Sequence, residues 1–134
     1  MKSMPSIQKY MTSAPHTVGA DVTLDKASKT MGELRVRHLP VLRGGKLVGI
    51  LSDRDVQMVE TFKDVDPREV KVEEAYTPDP YLTSPSARLD EVCDKMAAHK
   101  YSCVLVVDNN KLVGIFTWVD ALNAMKEILS QRFH

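Results

Sequence analysis

Two short stretches of this chain carry residue types able to hold a hydroxylated or charged ligand: Ser52-Asp53-Arg54-Asp55 and Thr117-Trp118-Val119-Asp120. Each sets a hydroxyl three residues ahead of a carboxylate, directly after an apolar run. A helix that begins there has unpaired backbone N–H groups with partial positive charge, which favour an anion. Arg54 adds a guanidinium fork suited to phosphate. Asp55, one turn in, stands where a carboxylate can accept both hydroxyls of a ribose. The combination is nucleotide-shaped. The same Ser/Thr-x-x-Asp spacing also describes a capping box, in which side chain and backbone satisfy each other at a helix start. The two roles are compatible, because a ligand can replace part of the cap. In the second stretch the hydroxyl and the acid recur, but Trp118 and Val119 stand in place of Asp53 and Arg54. The cation is gone and a bulky ring has arrived.

The elements that must position these residues are themselves duplicated. Gly45-Lys46-Leu47-Val48-Gly49-Ile50-Leu51 is echoed by Asn110-Lys111-Leu112-Val113-Gly114-Ile115-Phe116, each aligned pair 65 residues apart. Repeats at a fixed period decide architecture before any local reading does. In the first copy Ser6 is positioned to cap a short helical turn from Ile7 to Met11, and Thr12-Ser13-Ala14-Pro15 ends it. His16-Thr17-Val18 is extended. Thr23 reads as an N-cap, and Leu24, Ala27, Met31 and Leu34 follow at helical spacing to about Arg35. His38 to Leu42 is a short buried strand whose Pro40 suggests an edge or a break in the ladder. Arg43-Gly44-Gly45 is a hairpin turn signal. Lys46 to Leu51 returns, and a helix from Asp53 to about Phe62 carries Val56, Val59 and Phe62.

A charged join, 63–71, leads into the second copy. Val72 to Tyr76 matches the opening turn, and Thr77-Pro78-Asp79-Pro80 ends it. Tyr81-Leu82-Thr83 is extended, and Leu89, Val92, Cys93 and Met96 line a helix. Cys103 to Val107, the turn Asp108-Asn109-Asn110 and Lys111 to Phe116 form the second hairpin. A final helix from Val119 to about Leu129 shows Ala121, Leu122, Met125 and Leu129 as its stripe. The copies are therefore 7–62 and 72–130, each strand-helix-strand-strand-helix. This is an α+β fold. Halves of about 65 residues have marginal cores alone, so the two are expected to pack sheet to sheet with pseudo-two-fold symmetry.

Composition narrows the function classes. Eighteen basic and 18 acidic side chains cancel, so no general attraction to nucleic acid or membrane is expected. Cys93 and Cys103 form no CxxC pair and read as buried free thiols of a reducing compartment. No leader-like segment opens the chain and no apolar run is long enough to span a bilayer, so a cytoplasmic location is expected. His16, His99 and His134 have no metal-ligand spacing. His38, at the mouth of a strand, reads equally as a packed edge residue or a ligand contact. Arg35 and Arg37 flank Val36 at a helix end, where a surface position and a phosphate contact both suit them. No Ser-His-Asp set, Walker loop or dinucleotide fingerprint is present, so an enzyme is not expected.

Taken in order, Arg37-His38-Leu39-Pro40-Val41, the Gly-Lys-Leu-Val-Gly-Ile hairpin and Ser-Asp-Arg-Asp, with Val104 to Asp108, the second Lys-Leu-Val-Gly-Ile and Thr117-Trp118-Val119-Asp120, resemble a tandem pair of CBS motifs. The CBS motif is a regulatory module named after cystathionine β-synthase. The likeness covers residues 7 to 129. It implies clefts between the motifs that take adenosine compounds (AMP, ADP, ATP or S-adenosylmethionine, with magnesium only as a companion of ATP). It implies that Asp55 and Asp120 grip ribose, with Ser52 and Thr117 near ribose and phosphate. It further implies crosswise clefts, one joining Thr17, Arg37, His38 and Pro40 to Thr117 and Asp120. The other joins Leu82-Thr83 and Ser102-Cys103 to Ser52, Arg54 and Asp55. Such pairs often form a disc-like homodimer through helices, here offering Val56, Val59 and Phe62 and Leu122, Met125 and Leu129, and signal to an effector protein. The alternative is a dimerising scaffold without ligand, its clefts closed by side chains such as Trp118. Tyr101-Ser102-Cys103 departs from the family's Arg-x-His and removes a phosphate partner there.

Overall fold

Both hairpins form where alternation and turn chemistry require them. In a computed structural model, which describes residues 3–133, β3 (His38–Arg43) pairs antiparallel with β4 (Lys46–Ser52), and β7 (Cys103–Asp108) with β8 (Lys111–Thr117). The linking residues Gly44 and Gly45, and Asn109 and Asn110, all have positive φ. That is the geometry of a two-residue turn whose twist suits the strands, and Gly and Asn adopt it most readily. His134 lies outside the described residues.

Two compact units result. One is His16–Pro80; the other joins the residues up to Pro15 to those from Tyr81 onward. We call them the Asp55 unit and the Asp120 unit. The lead-in of each sequence repeat therefore folds with the hairpin of the other repeat.

In the Asp55 unit, β2 (Val18–Gly19) lies parallel to β3, and β5 (Thr77–Pro78) lies antiparallel to β4, giving the order β2-β3-β4-β5. Helix α1 (Leu24–Leu34) buries Leu24, Ala27 and Met31, and α2 (Asp53–Glu60) buries Val56. They pack with Leu39, Val41, Leu51 and Val72 into one core. Val56 is only 4% exposed, so it is a core residue and not part of an outward stripe. Phe62 lies beyond the end of α2 and is exposed.

One expectation for this unit is decided and one changes. Of the two readings of Pro40 the break in the ladder holds, since the residue is in an interior strand and not at an edge. The ladder tolerates it because parallel pairing with β2 begins only at Val41. At the matching place in the other unit, the Leu105 N–H donates to the Tyr81 carbonyl at 2.9 Å, a bond that proline cannot make. Thr23 sits at the N-cap of α1, yet its side chain makes no capping bond and its buried hydroxyl has no partner among the described residues.

In the Asp120 unit, β6 (Leu82–Thr83) is parallel to β7, and β1 (Thr12–Ser13) is antiparallel to β8, giving β1-β8-β7-β6. Helix α3 (Leu89–His99) buries Leu89, Val92 and Met96, which pack with Ile7, Val104, Val106 and Phe116. Ser6 precedes the short 3-10 turn Ile7–Lys9 but makes no side-chain cap. Helix α4 (Trp118–Arg132) buries Ala124, with Ala121 beside the core. Leu122, Met125 and Leu129 are instead 50%, 54% and 47% exposed. The small alanines let α4 lie close to the sheet, and the larger side chains turn outward. Among the described residues, no helix is long and apolar enough to cross a membrane.

Both units end their first helix in the same way. Arg35 and Lys100, 65 residues apart, are left-handed C-caps with φ of 56° and 59°. Glycine is the usual occupant of such a cap.

Candidate functional site

Each hydroxyl-x-x-acid step is a strand-to-helix junction. Ser52 closes β4 in an extended conformation and is the N-cap of α2; its Oγ accepts the Asp55 N–H at 3.1 Å. The Ser52 N–H donates back to Asp55 Oδ2 at 2.9 Å. Thr117 and Asp120 repeat this at the head of α4, with bonds of 3.3 Å and 2.9 Å. The capping box is therefore formed twice, as the spacing allowed. It leaves each carboxylate half-buried at a helix start with acceptor capacity to spare, since an ionised carboxylate offers about four lone-pair sites.

A second hydroxyl reaches each acid. Thr77 Oγ1 donates to Asp55, 3.2 Å from Oδ1 and 3.3 Å from Oδ2. Thr12 Oγ1 does the same to Asp120 at 3.2 Å and 3.4 Å. Sequence reasoning assigned Thr12 and Thr77 only to the ends of helical turns. The available signal was the period itself, because these two threonines are also 65 residues apart.

Of the residues named from the sequence, Arg37 and His38 lie beside the Ser52–Asp55 junction. The Arg37 carbonyl accepts the Asp53 N–H at 2.9 Å, and His38 pairs with Ser52 across the ladder. Arg54 is exposed on the first turn of α2, Thr17 is exposed just before β2, and Pro40 is fully buried in the sheet. Arg37 and Asp53 also line a groove of about 330 Å³ between α1 and α2, floored by Met31, Val36 and Val56. Burial holds the His38 imidazole below its ordinary value and Arg37 adds to this, while the Asp53 and Asp55 carboxylates oppose it.

In the Asp120 unit the matching positions are differently equipped. The Ser102 carbonyl accepts the Trp118 N–H at 3.1 Å, and Cys103 faces Thr117. Burial pushes the Cys103 thiol up to about 12, so it stays protonated. Cys93 and Cys103 are both free and half-buried, less enclosed than expected. Trp118 is 44% exposed and belongs to neither core. His99 stacks on Tyr101 at 5.1 Å. Among the described residues, no group of three or more His, Cys, Asp or Glu side chains is arranged to hold a metal.

A duplicated α+β motif, with a hydroxyl and an acid at the head of its last helix in each copy, defines a class of paired small modules. The chain belongs to the CBS domain family, whose model matches residues 7–59 and 72–127. The CBS domain-containing protein YhcV of Bacillus subtilis is 32% identical over 91% of this chain and 87% of its own length. The fold is shared with the Vibrio cholerae protein AcuB, at a TM-score of 0.85, 30% identity, and 98% and 99% coverage of the two chains. CBSX2, solved in complex with AMP, superposes at a TM-score of 0.77 with 26% identity, covering 92% of this chain and 97% of its own. Inosine-5′-monophosphate dehydrogenase of Staphylococcus epidermidis also matches at 29% identity, and there this chain spans only 22% of the relative's length.

Proposed function

We propose that this chain is a regulatory module, not an enzyme, that binds an adenosine-containing small molecule at Asp55 and Asp120 and passes the binding event to a partner protein. The observation that carries this reading is the duplicated acid, half-buried at a helix start and presented by the same bonds in both units. A relative of the same fold solved with AMP supports the ligand class. Ser52 and Thr117 would lie near ribose and phosphate. Arg54 and Arg37 would supply positive charge, and Thr17, His38 and Pro40 would shape the base end. The mechanism is differential affinity: the ligand favours the conformation it binds best, and the partner responds to that conformation.

The test is calorimetric titration with AMP, ADP, ATP (with and without magnesium) and S-adenosylmethionine. It is run on the wild type and on Asp55→Ala and Asp120→Ala separately. Each variant should lose the site that its acid serves. Unchanged affinity in both variants overturns the assignment. A ligand at 100 times its dissociation constant should add about 2.7 kcal/mol to the unfolding free energy.

A second reading is favoured by the outward face of α4. Val119, Leu122, Met125 and Leu129 form an apolar surface on one helix, and such patches mark protein contacts. A homodimer through this face fits the regulatory reading and equally a ligand-free scaffold. Leu122→Glu with Met125→Glu should convert a dimer to monomer in sedimentation equilibrium. A dimerising chain that none of these ligands stabilises would favour the scaffold.

A further inference from the structure

Two of the four two-residue strands among the described residues, β1 and β5, bury almost nothing. All four residues of β1 and β5, Thr12, Ser13, Thr77 and Pro78, are exposed. What these elements deliver is one hydroxyl each, to Asp120 and to Asp55. The sheet is shaped to receive them. Gly114 pairs with Ser13 and Gly49 with Pro78. A Cβ on Gly49 would run into the Thr77 carbonyl and the Tyr76 ring, and one on Gly114 into Met11. Glycine at both places admits the lead-in close enough to seat its threonine. The lead-ins, Thr-Ser-Ala-Pro and Thr-Pro-Asp-Pro, share their first threonine and their last proline and differ between them.

We infer that Thr77 and Thr12 are positioning residues that fix the planes of the Asp55 and Asp120 carboxylates for the paired hydroxyls of a ribose. The inference rests on the reading above and adds the sugar specificity of those sites. The final torsion of an aspartate is broad. Apart from the threonine, each carboxylate is tethered only at Oδ2, by the capping N–H and at Asp120 also by the Thr117 hydroxyl at 3.2 Å, and could swing about that oxygen. The threonine proton, shared between both oxygens, sets the second constraint. Threonine is suited to this, because its branched Cβ restricts χ1 and its backbone is held by pairing with Ile50 or Ile115. The remaining lone pairs, which lie in the carboxylate plane, are then held in one direction, as recognition of two neighbouring hydroxyls requires. A ligand lacking one hydroxyl gains little from that alignment.

The experiment compares AMP with 2′-deoxy-AMP by calorimetry on wild type, Thr77→Val, Thr77→Ser, Thr12→Val and Thr12→Ser. Unliganded melting is recorded for each. Valine keeps the shape and removes the proton donor; serine keeps the donor. We expect valine to weaken AMP binding about tenfold at the site of its acid. Binding of 2′-deoxy-AMP should change much less, and serine should restore the wild-type ratio. Equal losses for both ligands, or no loss at all, overturn the positioning role while leaving the proposed function standing. Failure of the wild-type chain to bind these ligands or any of ADP, ATP and S-adenosylmethionine overturns both. Should a valine variant unfold, a serine variant that folds but loses the preference for AMP also overturns the inference.

Discussion

The Asp55 and Asp120 units share a backbone and differ in chemistry. Positive φ recurs at matching positions: Ala14 and Asp79, Arg35 and Lys100, Gly44 and Asn109, Gly45 and Asn110. The capping box, the threonine donor and the close glycine recur as well. The side chains around that frame diverge. Arg37, His38, Asp53 and Arg54 in one unit correspond in the repeat to Ser102, Cys103, Trp118 and Val119 in the other. Duplication has preserved the parts that hold an acid in place. The charge and bulk beside it have been free to change, because none of those side chains is needed to close the strand-to-helix junction.

The comparison breaks most visibly at the close glycines. Gly49→Ala should cost about 3 kcal/mol in urea denaturation, because the new methyl meets a backbone carbonyl and a ring. Gly114→Ala should cost about 1 kcal/mol, because the obstacle is the flexible Met11 side chain. Equal costs would mean that the two lead-ins approach their sheets alike.

Next come the acids themselves. Without ligand, Asp55→Ala and Asp120→Ala should each lose about 1 kcal/mol, the value of a helix cap. The two should agree closely, since the capping N–H and threonine bonds are removed in both and Asp120 loses only the Thr117 hydroxyl bond besides. A large disagreement in chemical denaturation would show that only one box carries weight.

The left-handed caps predict a gain. Arg35→Gly and Lys100→Gly should each stabilise by about 0.5 kcal/mol. The relief of a left-handed side chain exceeds the extra entropy of an unfolded glycine. Similar increments in melting experiments would confirm that the two helix ends are equivalent.

The smallest effect separates the units by pH. Burial lowers the pKa of His38 in the folded state. The unfolded chain therefore takes up this proton at higher pH than the folded chain does. Stability from this group is full above about 6.5 and is lost as pH falls below that toward the depressed folded value. His38→Gln should flatten that part of the stability profile. Cys103, the matching residue, contributes nothing there, because its thiol stays neutral up to about 12. A slope that survives His38→Gln would place the titration elsewhere.

Much of this architecture was legible in the residues. The hairpins, the helices and both capping boxes depend on partners a few positions away, so their signals are local. Gly44-Gly45 and Asn109-Asn110 announce their turns, and Ser52 and Thr117 announce their caps. On α4 the tight approach to the sheet selected Ala121 and Ala124, which left Leu122, Met125 and Leu129 on the outward face that the sequence offered as a helix interface. Pro40 left an edge and a break in the ladder both open, because the sequence does not show where β2 begins to pair. Val56 looked like one of an outward row until its burial beneath α1 and the sheet was known.

The sequence by itself determined the repeat, its period, the order of elements in each copy and the acid at each helix start. Only the tertiary structure decided which lead-in serves which hairpin. Thr12 lies near the start of the first repeat yet bonds Asp120 of the second, and Thr77 lies near the start of the second yet bonds Asp55 of the first. The physical reason is that a two-residue strand carries no pattern of its own, and the two hairpins offer it nearly the same edge. Its choice depends on the path of the whole chain, which no local preference encodes.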